Sequence, residues 1–154
     1  MAHELSTIGC GLKWAVETTA GTRPTTGYKK LTGVKSEPAT ADAPNNLQVT
    51  DLSDRFHRYV PGVQDVGGGS REYLFNDTAD NRTAWAAMVT AYQAAEASGK
   101  ALWIEETFPG NLDSFYFAGI PSDWVSNERS VDSVLEATGY ITANQVAGFA
   151  AAST

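Results

Sequence analysis

The chain has 154 residues, 42% of them hydrophobic, a single cysteine and a formal net charge of −7 at pH 7. That length supports one domain with a real core, and no apolar run reaches the length of a membrane span. One cysteine excludes an internal disulfide, and the acidic balance argues against tight binding to nucleic-acid phosphates. The start, MAHELSTIGCGLKW, lacks the basic opening and continuous apolar stretch of a signal peptide, and the lone Cys10 makes an intracellular site of synthesis the default expectation. The charge is uneven. Residues 1–82 carry nine Lys/Arg against ten Asp/Glu, whereas residues 83–154 carry only Lys100 and Arg129 against eight acids.

In chain order, the alternation over Leu12–Glu17 predicts a half-buried strand, with Gly9 and Gly11 blurring its start. Thr18–Gly27 is rich in turn formers and reads as loop. Tyr28–Val34 reads as a short strand interrupted by Gly33, and Ser36–Asn46, with Pro38 and Pro44, as a polar extended segment. Leu47–Val66 holds no single period, and Pro61-Gly62 stops any helix there. Residues 36–69 thus form one long connection, and connections longer than about 15 residues are usually functional or disordered. Its aromatics and paired charges argue against disorder, and order gained by contact with a neighbour is the expectation. Ser70–Asn76 then reads as a strand.

The strongest local signal follows. Thr78 suits an N-cap, Asp80 the first helical turn, and Gly99 a left-handed stop. Between them Ala84, Trp85, Met88, Val89, Tyr92 and Ala95 recur at helical spacing on one face, predicting a helix over about 79–98. Ala101–Phe108 and Ser114–Ile120, flanking Pro109–Asp113, read as a hairpin with a five-residue loop. Val131–Thr138 predicts a further strand that Tyr140–Thr142 extends, and Ala143–Thr154 is a small, uncharged tail. The sum is one α+β, mainly β domain: antiparallel strands curled against one flanking helix.

The residues of catalysis are scarce. His3, His57 and Cys10 have no metal-ligand spacing. Gly67-Gly68-Gly69 is followed by no Gly-Lys-Ser/Thr. Glu105 and Glu106, adjacent on a strand, point to opposite faces and cannot act as a pair. The expectation is a protein without enzymatic activity, metal or cofactor.

Several segments resemble the major tail tube proteins of long-tailed, siphophage-type bacteriophages. They are Gly11–Pro24 (GLKWAVETTAGTRP), Thr50–Asp54 (TDLSD) with Tyr59–Asp65 (YVPGVQD), and Phe115–Pro121 (FYFAGIP) with Tyr140–Thr142. The resemblance implies an antiparallel β-sandwich or barrel with one flanking helix, a long inter-subunit loop (36–69 here) and terminal arms. It implies a structural virion protein, made in the host bacterial cytoplasm, whose copies form hexameric rings. The rings stack into a hollow tail tube, the conduit for genome ejection. The implied partners are copies of the chain itself, a tape-measure protein, a tail terminator and tail-tip or baseplate proteins. Double-stranded DNA passes through without specific binding, and no membrane insertion is implied.

On this reading Asp51, Asp54, Arg55, Phe56, Arg58, Tyr59 and Asp65 are candidate inter-subunit loop contacts. Glu105, Asp132 and Glu136 are candidate bore-lining acids, since carboxylates repel passing phosphates. Two alternatives stand beside it: the tube protein of a contractile injection or type VI secretion-like device, and a monomeric carbohydrate- or receptor-binding module with Trp103, Trp124 and Tyr116 as a stacking platform.

Overall fold

The computed structural model describes residues 4–66 and 69–154. Ten strands and one helix follow in the order β1 (Gly11–Val16), β2 (Lys29–Leu31), β3 (Val34–Ser36), β4 (Asn46–Gln48), β5 (Tyr59–Pro61), β6 (Ser70–Asn76), α1 (Ala79–Ala97), β7 (Leu102–Thr107), β8 (Ser114–Pro121), β9 (Val125–Ser126) and β10 (Glu136–Ala150). The main sheet is antiparallel and runs β2-β1-β7-β8-β10-β6-β3, with β9 added to β10; β4 and β5 pair apart from it.

Its two outermost strands, β2 and β3, are separated in sequence by Thr32 and Gly33 alone. A link that short spans at most about 10 Å. The sheet therefore curls until its edges nearly meet, an almost closed barrel. Gly33 makes this turn with φ +77, and a Cβ there would lie 2.0 Å from Asn81 Nδ2. Only glycine meets both demands. Asn81, in the first turn of α1, fastens the closure by accepting from Thr32 Oγ1 at 3.1 Å and donating to the Asn76 carbonyl at 2.8 Å.

Alternation along the strands sorts the core. Leu12, Trp14, Leu31, Tyr73, Phe75, Leu102, Ile104, Phe115, Phe117 and Ile141 form one buried cluster with Trp85 and Met88 of α1. Thr78 caps the helix, accepting from the Asn81 amide at 3.2 Å, and Gly99 follows it with φ +71. The Trp85 indole donates to the Ser122 carbonyl at 2.8 Å and meets the rings of Phe75 and Trp124. Full burial of such side chains stabilises by roughly 2 kcal/mol each before entropy is subtracted. The other face of β7 and β8 is covered as well: Trp103, Tyr116 and Ala118 form a second cluster against Tyr28, Ala101 and Ala150.

Three expectations change. Tyr28–Val34 is two strands at opposite ends of the sheet, because Gly33 turns the chain between them. Ala143–Ala150 belongs to β10, paired with β8 through two register shifts, and only the residues after it form a tail. Val131–Leu135 is turn and loop, since β10 begins at Glu136. Among the described residues no helix is long and apolar enough to cross a membrane.

Candidate assembly interface

The long connection contains structure of its own. Asn46↔Pro61, Leu47↔Val60 and Gln48↔Tyr59 pair β4 with β5 into a hairpin that, among the described residues, makes no strand pairing to the main sheet. Its tip is organised by charge. Arg58 Nε donates to Asp54 Oδ2 at 2.8 Å, the Asp54 carboxylate accepts from the Asp51 amide at 2.9 Å, and the Arg58 amide donates to Thr50 Oγ1 at 2.9 Å. Asp51 accepts from the Ser53 hydroxyl and amide, which holds its carboxyl below the usual carboxylate range. Asp51, Asp54 and Arg58 thus shape the tip itself. Asp65 is exposed, and its carbonyl accepts from the Asp42 amide at 2.8 Å where the loop returns.

What this scaffold displays is apolar. Leu52, Phe56 and Val63 are 108%, 83% and 84% exposed, and Leu47, Tyr59 and Val60 are exposed beside them. A two-stranded hairpin with no hydrophobic cover is marginal by itself, and clustered exposed apolar side chains mark interaction surfaces. Arg55 is exposed on the same tip, with no acid in salt-bridge range among the described residues.

A second open surface is the late part of β10. Residues 143–150 pair with β8 on one side and with no strand on the other among the described residues. Val146 and Phe149 are exposed there. An uncharged edge of this kind is a template for adding another strand.

The root of the long loop is held from inside the barrel. Arg71 is fully buried, donating to Glu106 Oε1, to the carbonyls of Ala39 and Thr40 at 2.8 and 3.2 Å, and to Tyr73 Oη at 3.1 Å. The Tyr73 hydroxyl donates to the same Glu106 oxygen, and the Phe115 and Phe117 rings flank the guanidinium. Burial pushes the Glu106 carboxyl up, although Arg71 and Tyr73 oppose that shift. No sequence spacing announces this network, whose members come from β6, β7 and the loop.

The acids expected in a bore are not gathered into one row. Glu105 is fully buried beneath the C-terminal tail, accepting from Ser114 Oγ and from the amide and hydroxyl of Ser153. It presents no carboxylate to solvent in this subunit, because both faces of β7 are covered; the expectation for it is withdrawn. Asp132 lies in an exposed turn with φ 59, off any strand. Glu136 opens β10 and pairs with Lys35 at 3.2 Å. The aromatic platform fails for the same reason as Glu105: Trp103 and Tyr116 are buried, and Trp124 packs against Phe75 and Trp85.

A solved chain shares this fold. It comes from the cryo-electron microscopy structure of the anti-feeding prophage baseplate, 6-fold symmetrised, and aligns at a TM-score of 0.57 over 95% of this chain and 95% of its own, with 7% sequence identity. At that identity the likeness is one of fold. No protein-family model matches the chain, and no curated relative matches it either.

Proposed function

We propose that the protein is a structural, non-enzymatic subunit of a phage tail or tail-like device. Its copies form hexameric rings that stack into a hollow tube in the virion, and the tube is the conduit for the genome. The observation that carries this reading is the end-to-end likeness to a chain of the 6-fold symmetrised anti-feeding prophage baseplate. A projecting hairpin with unburied apolar side chains and an unpaired late β10 edge support it, since both are surfaces that a further copy would cover. The tape-measure, terminator and tip proteins are the partners that such a subunit would meet. Asp132 and Glu136 remain the proposed bore acids.

The neighbour belongs to a baseplate of an anti-feeding prophage, which favours a second reading: a tube or end-plate subunit of a contractile injection device. Electron microscopy of the purified protein, dilute and then concentrated, tests the shared part. Stacked hollow rings are the expected outcome. A species that stays monomeric at every concentration, even with a preformed tail tip added as initiator, would overturn it.

A further inference from the structure

One pocket is shaped for a charge that no described residue of the chain has free to supply. It has a volume of about 470 Å³ and opens between the loop root and the start of β1, with Val34, Pro38 and Phe108 as apolar walls. Glu37 and Glu106 line it too. Glu106 is matched by Arg71 and Tyr73. Glu37 is not: its Oε1 is buried and has no hydrogen-bond partner among the described residues. A buried acceptor without a donor is costly and calls for a partner.

The surroundings do not meet that need. Around Glu37, Glu106 of β7 repels, Arg71 of β6 attracts but is already spent on Glu106 and the loop carbonyls, and Tyr73 donates to Glu106. Lys35 of β3 also lines the pocket, but its ammonium is paired with Glu136 at 3.2 Å, and Cys10 contributes no positive charge. Burial, with Glu106 adding to it, pushes the Glu37 carboxyl to about 7. The missing element is a cation on an apolar stem.

Among the exposed cations, Arg55 has the right position and company. It sits at the tip of the projecting hairpin, where the other charges pair among themselves, between the exposed side chains of Leu52 and Phe56. A guanidinium can bond a carboxylate in a fixed planar geometry while its methylenes lie on apolar walls. We propose that Arg55 of one copy inserts into the Glu37 pocket of a neighbouring copy, making this ion pair a specific lock between subunits. The inference rests on the self-assembly reading above and adds the residues that set its register.

Two experiments test it. In a double-mutant cycle, Glu37→Gln and Arg55→Gln should each raise the concentration needed for assembly roughly tenfold or more, and the double variant should be no worse than either single one. Circular dichroism should be unchanged for all three. Assembly should also weaken as pH falls below about 7 in the wild type, where Glu37 takes up a proton, and lose that dependence in Glu37→Gln. Strictly additive effects, or tubes indifferent to both substitutions, would overturn the lock while leaving the tube reading standing.

The second experiment reads the contact directly, because Cys10 lines the same pocket. Arg55→Cys in a Cys10→Ser background, mixed with wild-type chain and oxidised at high concentration, should give a disulfide between the two species. Mass spectrometry that finds only like-with-like dimers would overturn the proposal. Absence of rings in the same samples by microscopy would instead count against the tube reading.

Discussion

The Trp85 indole occupies the space that a side chain on Gly139 would need: a Cβ there would lie 2.5 and 2.6 Å from two of its ring carbons. Gly139, the fourth residue of β10, is therefore the seat on which the helix rests against the sheet. Trp85 cannot retreat, since Phe75 and Trp124 enclose it and its N–H is bonded to Ser122. Gly139→Ala should destabilise the subunit by about 3 kcal/mol, read as a lowered urea midpoint. Adding Trp85→Leu should recover part of that loss; equal destabilisation without and with it would mean that the clash is not the cause.

Arg71 and Glu106 make a different kind of prediction. Arg71→Met leaves a buried carboxylate without its cation, a change that typically costs about 3–5 kcal/mol. Arg71→Met with Glu106→Leu removes both charges and should be much closer to wild type in stability. In both variants, however, the carbonyls of Ala39 and Thr40 lose their donor. Limited proteolysis near residues 38–42 should accelerate even where global stability is restored. Deleting 39–46 should for the same reason destabilise the core, not merely alter the loop.

Acid sensitivity should run through Asp77. Hydrogen bonds from Arg82, with help from Ser126 and Trp124, hold its carboxyl down to about 2 from an ordinary 3.8. Because the folded value is the lower one, the stabilisation is complete above about pH 4 and is lost as pH falls through 4 toward 2. The gap in melting temperature between wild type and Asp77→Asn should be constant from pH 7 to 5 and close by pH 2. A gap of the same size at pH 2 would contradict the assignment.

Leu52 and Phe56 contribute little to the subunit that bears them, being almost wholly exposed. Leu52→Ser with Phe56→Ser should change the unfolding free energy by no more than about 0.5 kcal/mol, yet, on the proposed ring assembly, abolish ring formation. Sedimentation velocity beside a urea melt separates the two effects.

The local elements were legible in the sequence. Thr78, Gly99 and the spacing of Trp85, Met88 and Ala95 specify α1, which runs from Ala79 to Ala97, and Pro109–Asp113 marks the turn between β7 and β8. Glu105 and Glu106 do point to opposite faces, as a strand requires; that both faces would be covered depended on a tail and a loop distant in sequence. The β4–β5 pairing leaves no periodic signal in the sequence, because all six of its residues are exposed and no alternation of burial shapes them. Arg71 and Glu106 are joined only by the closure of the sheet, and no local pattern encodes that. Nor does the composition of Ala143–Ala150, small and uncharged, advertise a strand whose pairing comes from β8.

The near-closure of the barrel by Thr32 and Gly33 also bears on how the chain is born. Leu12 finds its partner in Glu106, more than half the chain away, and β10 is the strand that joins β8 to β6. No ring of strands exists until β10 has left the ribosome, so folding waits until the chain has been made as far as Ala150. Such long-range pairing also favours refolding on the slow, millisecond-to-second scale. The hairpin tip emerges early, but its root is not fixed until Glu106 meets Arg71, and the open edge of β10 appears last. On the self-assembly proposed above, a chain on this plan would have its adhesive surfaces in working order only once its own fold is complete, and half-made chains would be kept from joining a growing polymer.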